Sequence, residues 1–103
     1  MKRQGMNIEP NGHLSFGGAD LPALAAEYKT PLYVFSEDVF RSACRAFNRS
    51  IKQFYGGHGL VLYASKAFAC KAIYKVIAEE GLGADVVSGG EIYTALQAGF
   101  LPE

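Results

Sequence analysis

Three stretches of the sequence carry residue types able to do chemistry: Lys66 in "LVLYASKAFACK", Asp85 in "GADVVS" and Glu91 at the end of "SGGE". Lys66 stands where an apolar run stops and an amphipathic one starts. A primary amine there is either the solvated end of a buried strand or a nucleophile at the rim of a barrel, where strand ends and loops gather. Pressed among Tyr63, Ala64 and Ala67, its charged form would be disfavoured by lost solvation, as Schiff-base chemistry requires. Asp85 follows nineteen residues later (66 to 85). Adjacent parallel strands would bring the two side chains close, and the carboxylate would then stabilise or orient the amine. The plainer alternative is that Asp85 starts its strand or caps the preceding turn.

The "SGGE" stretch, Ser88 to Glu91, has the glycines of a phosphate cradle opening onto a helix. Glu91 in the first helical turn would repel an anion, however, and "GLGADVVSGG" does not fit G-x-G-x-x-G. Ser88 as N-cap with Glu91 three residues on forms a capping box, which is the favoured reading, without excluding contact between Glu91 and a neighbouring active-site group. Cys44 and Cys70 lie far apart with no Cys/His grouping, so neither a zinc module nor a disulfide framework is expected, and no metal. His13 and His58 stand alone in glycine-containing turns and read as surface imidazoles.

These residues need strands and helices to hold them. Met1 to Gly18 is polar and turn-rich, with a short strand at "HLSF" between Asn11-Gly12 and Gly17-Gly18. Asp20 can cap a helix with Leu21, Leu24, Ala25 and Tyr28 on one face, stopped by Thr30-Pro31. "PLYVF" reads as a buried strand. Ser36 then caps a strongly amphipathic helix, with Phe40, Ala43, Cys44, Phe47, Ile51 and Phe54 inward and Arg41, Arg45, Arg49 and Lys52 on its solvated side. "LVLYAS" is a second buried strand. The next helix buries Ala69, Ile73, Val76 and Ile77, keeps Lys71, Lys75, Glu79 and Glu80 outside, and ends at Gly81 and Gly83. "ADVVS" is a third strand, and "EIYTALQAGF" a helix with Ile92, Ala95 and Leu96 inward. This is the rhythm of βαβ units and predicts an α/β fold with a parallel sheet covered by helices.

Composition narrows the class. Ten basic and ten acidic residues give zero formal charge, and half the residues are hydrophobic, as in a soluble globular protein. Balanced charge gives no reason to expect nucleic acid or an anionic membrane as partner. No apolar stretch approaches the roughly 20 residues that span a bilayer. "MKRQGMNIEPNG" lacks the apolar core of a secretory signal, so a cytoplasmic address is expected. Two βα units cannot close a barrel, and a further strand is due at "GFLPE". The expectation is therefore the N-terminal part of a longer protein, prone to aggregate through uncovered strands if isolated.

At this point the residues resemble a known family. "YASKAFACKAIYKVIAEEGLGADVVSGGEIYTALQAGF" is similar to the cofactor-attachment region of the diaminopimelate decarboxylases, and "HLSFGGADLPALAAEYKTPLYVFSED" to their N-terminus. The likeness runs from about His13 onward, with separated motifs in the right order. Y-A-x-K alone would indicate only the broader group that includes ornithine and arginine decarboxylases and alanine racemase. Many members carry Asn two positions after the lysine, where this chain has Phe68, so no role for an Asn transfers to that site.

The resemblance implies an alanine racemase-like (β/α)8 TIM barrel, incomplete in this chain. Residues 1–35 would contribute to a β-domain, and 36–103 would begin the barrel. It implies pyridoxal 5'-phosphate as cofactor, with Lys66 as the lysine that links to it. Asp85 would be the active-site aspartate near that lysine and Glu91 the glutamate after it, while Ala64 would lie against the cofactor. The implied reaction is decarboxylation of meso-2,6-diaminopimelate to L-lysine, the last step of lysine biosynthesis, by a homodimer. The glycine-rich phosphate loop, the acid facing the pyridine nitrogen, the stacking histidine and the substrate-binding groups would lie downstream, so these 103 residues alone are expected to be inactive. An ornithine or arginine decarboxylase, or a non-catalytic barrel fragment, are the alternative expectations.

Overall fold

A computed structural model describes residues 4–102. The basic start "MKR" and the final Glu103 lie outside the described residues. The chain divides into two compact units, Met1–Phe40 and Arg41–Glu103.

The first unit is built from neighbours in sequence. Strand β1 (Met6–Ile8) pairs antiparallel with β2 (Leu14–Phe16), setting Met6 against Phe16 and Ile8 against Leu14. β2 in turn pairs with β3 (Ala19–Asp20). Between β2 and β3 only Gly17 and Gly18 turn the chain, with φ of 59° and 83°. A two-residue hairpin of this kind needs positive φ at both positions, which glycine adopts freely. The sequence places β2 correctly but hides β1 and β3, which lack an alternating apolar pattern. Helix α1 (Leu21–Tyr28) follows directly, capped by Asp20, whose Oδ1 accepts the Ala23 N–H at 2.9 Å. Pro22 is tolerated in the first turn, where no helical N–H is needed.

The strand expected at "PLYVF" is not formed. Residues 31–35 pair with no described strand, and Leu32, Phe35 and above all Tyr33 (89% exposed) face outward. Their β-branched and aromatic composition fits a half-buried pleated surface only where a neighbour supplies the ladder, and no described residue does.

Helix α2 (Glu37–Phe54) starts as expected, with Ser36 Oγ accepting from Val39 N at 3.4 Å and acids in the first turn. Its facing differs from the sequence reading. Cys44 is buried, but Phe47 and Phe54 are exposed; Arg41 is half-buried, and Arg45, though exposed, is bonded to Glu80. Arg41, Cys44, Arg45 and Asn48 form one side of the helix, spaced three and four apart. A hydrophobic pattern finds the polar stripe without revealing that acids await it elsewhere in the chain.

In the second unit, β4 (Leu62–Ala64) and β5 (Gly83–Asp85) pair in parallel with α3 (Lys71–Glu79) between them, the βαβ arrangement read from the sequence. Both strands are shorter than "LVLYAS" and "ADVVS" predicted. Ile73, Tyr74, Val76 and Ile77 of α3 are buried together with Leu82 and with Ala95 of α4 (Gly89–Gln97). Ala69, expected to be buried, is exposed ahead of the helix. α3 ends in a Schellman motif, with Leu82 N–H bonding the Ile77 carbonyl and Gly81 N–H that of Ala78. Gly83 does not end that helix but opens β5, where a Cβ would come within 2.5 Å of Leu62 Cδ2.

One face of this strand pair is covered and the other is not. Leu60 and Leu62, expected to be buried, are exposed, as are Ile92 and Leu96. Together with Val86 and Leu101 they line an open apolar groove. Glu80, expected outside, is drawn in by arginines. Arg45 Nε and Nη2 each donate to its carboxylate at 2.7 Å, and Arg41 Nη1 does so at 2.9 Å. Arg41 Nη2 also reaches Glu79 at 2.6 Å, and Asn48 Nδ2 donates to the Glu80 carbonyl at 2.8 Å. The Arg45 and Arg41 hydrogen bonds hold the Glu80 carboxyl at about 2.

Candidate active site

The parallel register fixes where the candidate residues meet. Ala64 is the last residue of β4 and stands opposite Asp85, the last of β5. Neighbouring strands lie about 4.8 Å apart, so these two C-terminal ends form one rim. Asp85 therefore ends its strand rather than starting it. A 3-10 turn, Ser65–Ala67, continues from β4 and carries Lys66 two residues beyond that rim.

Along this turn the side chains diverge. Ser65 is 1% exposed, while Lys66 and Ala67 are exposed. Lys66 is thus not desolvated by Tyr63, Ala64 and Ala67 as the sequence led us to expect. Among the described residues, no hydrogen bond or ion pair engages Lys66 Nζ, and none joins it to Asp85, which is also exposed. The small Ala64 side chain is half-buried.

Glu91 sits at the same end of the strand pair but is occupied. Ser88 Oγ accepts the Glu91 N–H at 3.2 Å, and Glu91 Oε2 accepts the Val87 N–H at 2.7 Å. The capping box forms with its return bond one residue earlier than the Ser88 N–H. The helix N-terminus that resembled a phosphate cradle is closed by its own carboxylate. Ala64, Lys66 and Asp85 gather at one rim, whereas Glu91 serves the helix.

Two residues at this rim were not singled out from sequence. Tyr63 donates its phenol to the Phe68 carbonyl at 3.0 Å, spanning the turn that carries Lys66. Burial pushes that phenol above its ordinary pKa. Ser65 keeps a buried hydroxyl with no partner among the described residues. The alternation of strand side chains signals that Tyr63 and Ser65 face away from Leu62 and Ala64, but a bond to a backbone carbonyl leaves no mark in composition.

Cys44 is buried and Cys70 half-buried, both free, and burial raises the Cys44 thiol. Among the described residues, no group of three His, Cys, Asp or Glu could hold a metal. His13 is exposed, with Nδ1 2.7 Å from Asp20 Oδ2. The Ala23 N–H, then His13, hold the Asp20 carboxyl below its usual range. No described helix is long and apolar enough to cross a membrane.

Comparison with known proteins adds a family to this geometry. Residues 38–103 match the model for the pyridoxal binding domain of pyridoxal-dependent decarboxylases. The diaminopimelate decarboxylase of Synechocystis sp. is 44% identical over 91 residues, covering 88% of this chain and 19% of the relative. That of Bacillus subtilis is 48% identical over 96 residues, 90% of this chain and 21% of the relative. That of Methanothermobacter thermautotrophicus is 45% identical over 102 residues, 95% and 23% respectively. The chain spans about a fifth of the length of the curated relatives it matches.

Proposed function

As this chain belongs to the pyridoxal-dependent decarboxylase family, within its pyridoxal binding domain, we propose that it is the N-terminal part of a diaminopimelate decarboxylase. In this reading the whole enzyme converts meso-2,6-diaminopimelate to L-lysine and CO₂ in the cytoplasm, as a homodimer. Residues 1–35 contribute to a β-domain, and residues 36–103 begin a (β/α)8 barrel. Identity of 44–48% to relatives of that name supports the substrate. The observation that carries the site is an unengaged primary amine, Lys66, just past the C-terminal end of β4 and beside the end of β5.

The described residues suit one end of pyridoxal 5'-phosphate. An exposed amine free of any carboxylate matches an aldehyde, while the closed α4 N-terminus offers no phosphate site. Lys66 would hold the cofactor, with Ala64 leaving room beside it and Asp85 favouring the protonated amine when the stem swings toward β5. Glu91 would act one step back, by fixing the Val87–Ser88 bend that follows Asp85. When bound, the pyridinium ring supplies the sink for the electron pair left as the carboxylate departs. Lys66 would provide the amine that holds the cofactor's aldehyde and a group able to carry a proton.

Turnover by the full-length enzyme tests the reading. CO₂ and lysine are expected from meso-diaminopimelate, with ornithine and arginine left intact. Lys66→Ala should abolish release. Faster decarboxylation of ornithine, or wild-type turnover by Lys66→Ala, would contradict it.

A further inference from the structure

Lys66 has a problem that its own side chain cannot solve. A lysine stem is four flexible carbons ending in a point charge, so the protein can fix it firmly only where it leaves the backbone. Sites of this kind tolerate about 0.5 Å of error, and a 1 Å misplacement can cost about 10²-fold in rate. The backbone at Lys66 is a three-residue 3-10 turn whose first position has no side-chain cap. Such short turns have poor hydrogen-bond geometry and are marginal alone.

Two features compensate. Ser65 is packed inward at 1% exposure, while its neighbour Lys66 is exposed. Tyr63, the residue before Ala64, sends its phenol over the turn to the Phe68 carbonyl at 3.0 Å. That bond ties the end of β4 to the residue where the chain becomes extended again, at φ −167° and ψ 111°. Lys66 lies inside the closed arc.

We infer that Tyr63 is a positioning residue for the Lys66 amine, its phenol closing the arc from β4 to Phe68 that presents the lysine at the rim. This role presupposes Lys66 as the cofactor-linking residue. Tyr63 touches neither substrate nor cofactor in this assignment. A phenol is a donor through neutral and mildly alkaline pH, and burial raises the Tyr63 phenol further.

Tyr63→Phe in the full-length holoenzyme removes the donor and keeps the ring. Amide exchange over residues 65–68 should quicken about tenfold, the factor one hydrogen bond of ordinary strength supplies. We expect kcat to fall about tenfold with KM within about twofold of wild type, because the geometry of the amine rather than substrate affinity is disturbed. Unchanged exchange would overturn the strap. Faster exchange with unchanged kcat would overturn the positioning role, since the bond would then hold the turn without serving the amine. If borohydride fixes the wild-type cofactor on a residue other than Lys66, the reading of Lys66 fails first. That failure is distinguishable, because it is seen in wild-type protein and without turnover.

Discussion

The first forty residues and those that follow are held together by different means. In the first unit, strands pair with their sequence neighbours through glycine turns, and Asp20 and Ser36 cap helices. Ser15 alone is buried among its described residues, its hydroxyl donating to the Glu9 carboxylate. In the second unit, Cys44, Ile73, Tyr74, Val76, Ile77, Leu82 and Ala95 make a core across three helices and the link between α3 and β5, and the candidate site sits at the rim of the strands that core supports. Local turns suffice to shape a chain. Setting the ends of two strands nineteen or more residues apart side by side takes packing between distant segments.

Substitutions can break or sharpen that contrast. The largest effect is expected at Ile77, which is 0% exposed. Ile77→Ala should cost about 2–5 kcal/mol of unfolding free energy in denaturation of the full-length protein, through lost burial plus a cavity. Acid should act next, and on the second unit. Glu80 titrates at about 2 in the folded chain against an ordinary 4.5, so its ion pairs stabilise fully above pH 4.5 and are lost as pH falls toward 2. Glu80→Gln should lower stability at neutral pH and flatten the melting temperature across that window. An unaltered acid limb would remove Glu80 as the link between α2 and α3.

Tyr74 sharpens the account in the opposite direction. Its ring packs edge-on to Phe100 at 6.0 Å, yet its hydroxyl is buried with no partner among the described residues. Tyr74→Phe should raise stability by about 1 kcal/mol, by removing an uncompensated polar group while keeping the ring. The smallest change belongs to the first unit. Ile8 is 79% exposed, and Ile8→Ala should stay within about 0.5 kcal/mol of wild type in the same denaturation measurement. A loss at Ile8 comparable with that at Ile77 would erase the distinction between the units.

Legibility divided between local and non-local features rather than between the units. Local signals were read correctly from sequence: the Asp20, Ser36 and Ser88 caps, the Gly17-Gly18 turn, and the βαβ rhythm of the second unit. Non-local choices were not. The polar stripe of α2 was legible, but its capture by Glu80, some thirty-five residues on from Arg45, was not. "PLYVF" has strand composition and no strand, because a ladder is a property of two segments. At the candidate site, the βαβ reading brought the ends of the two strands, Ala64 and Asp85, to one rim with Lys66 just beyond it, while Tyr63 bonds a backbone carbonyl of a kind that any sequence possesses.

The central claim is that the Lys66 amine, alone among the lysines of this chain, links to an aldehyde cofactor. Borohydride reduction of the full-length enzyme, followed by mass spectrometry of its peptides, tests this directly. A pyridoxyl adduct on the peptide containing Lys66, absent in Lys66→Ala, is the predicted result. An adduct on Lys71 or Lys75, or none on this chain, would contradict it.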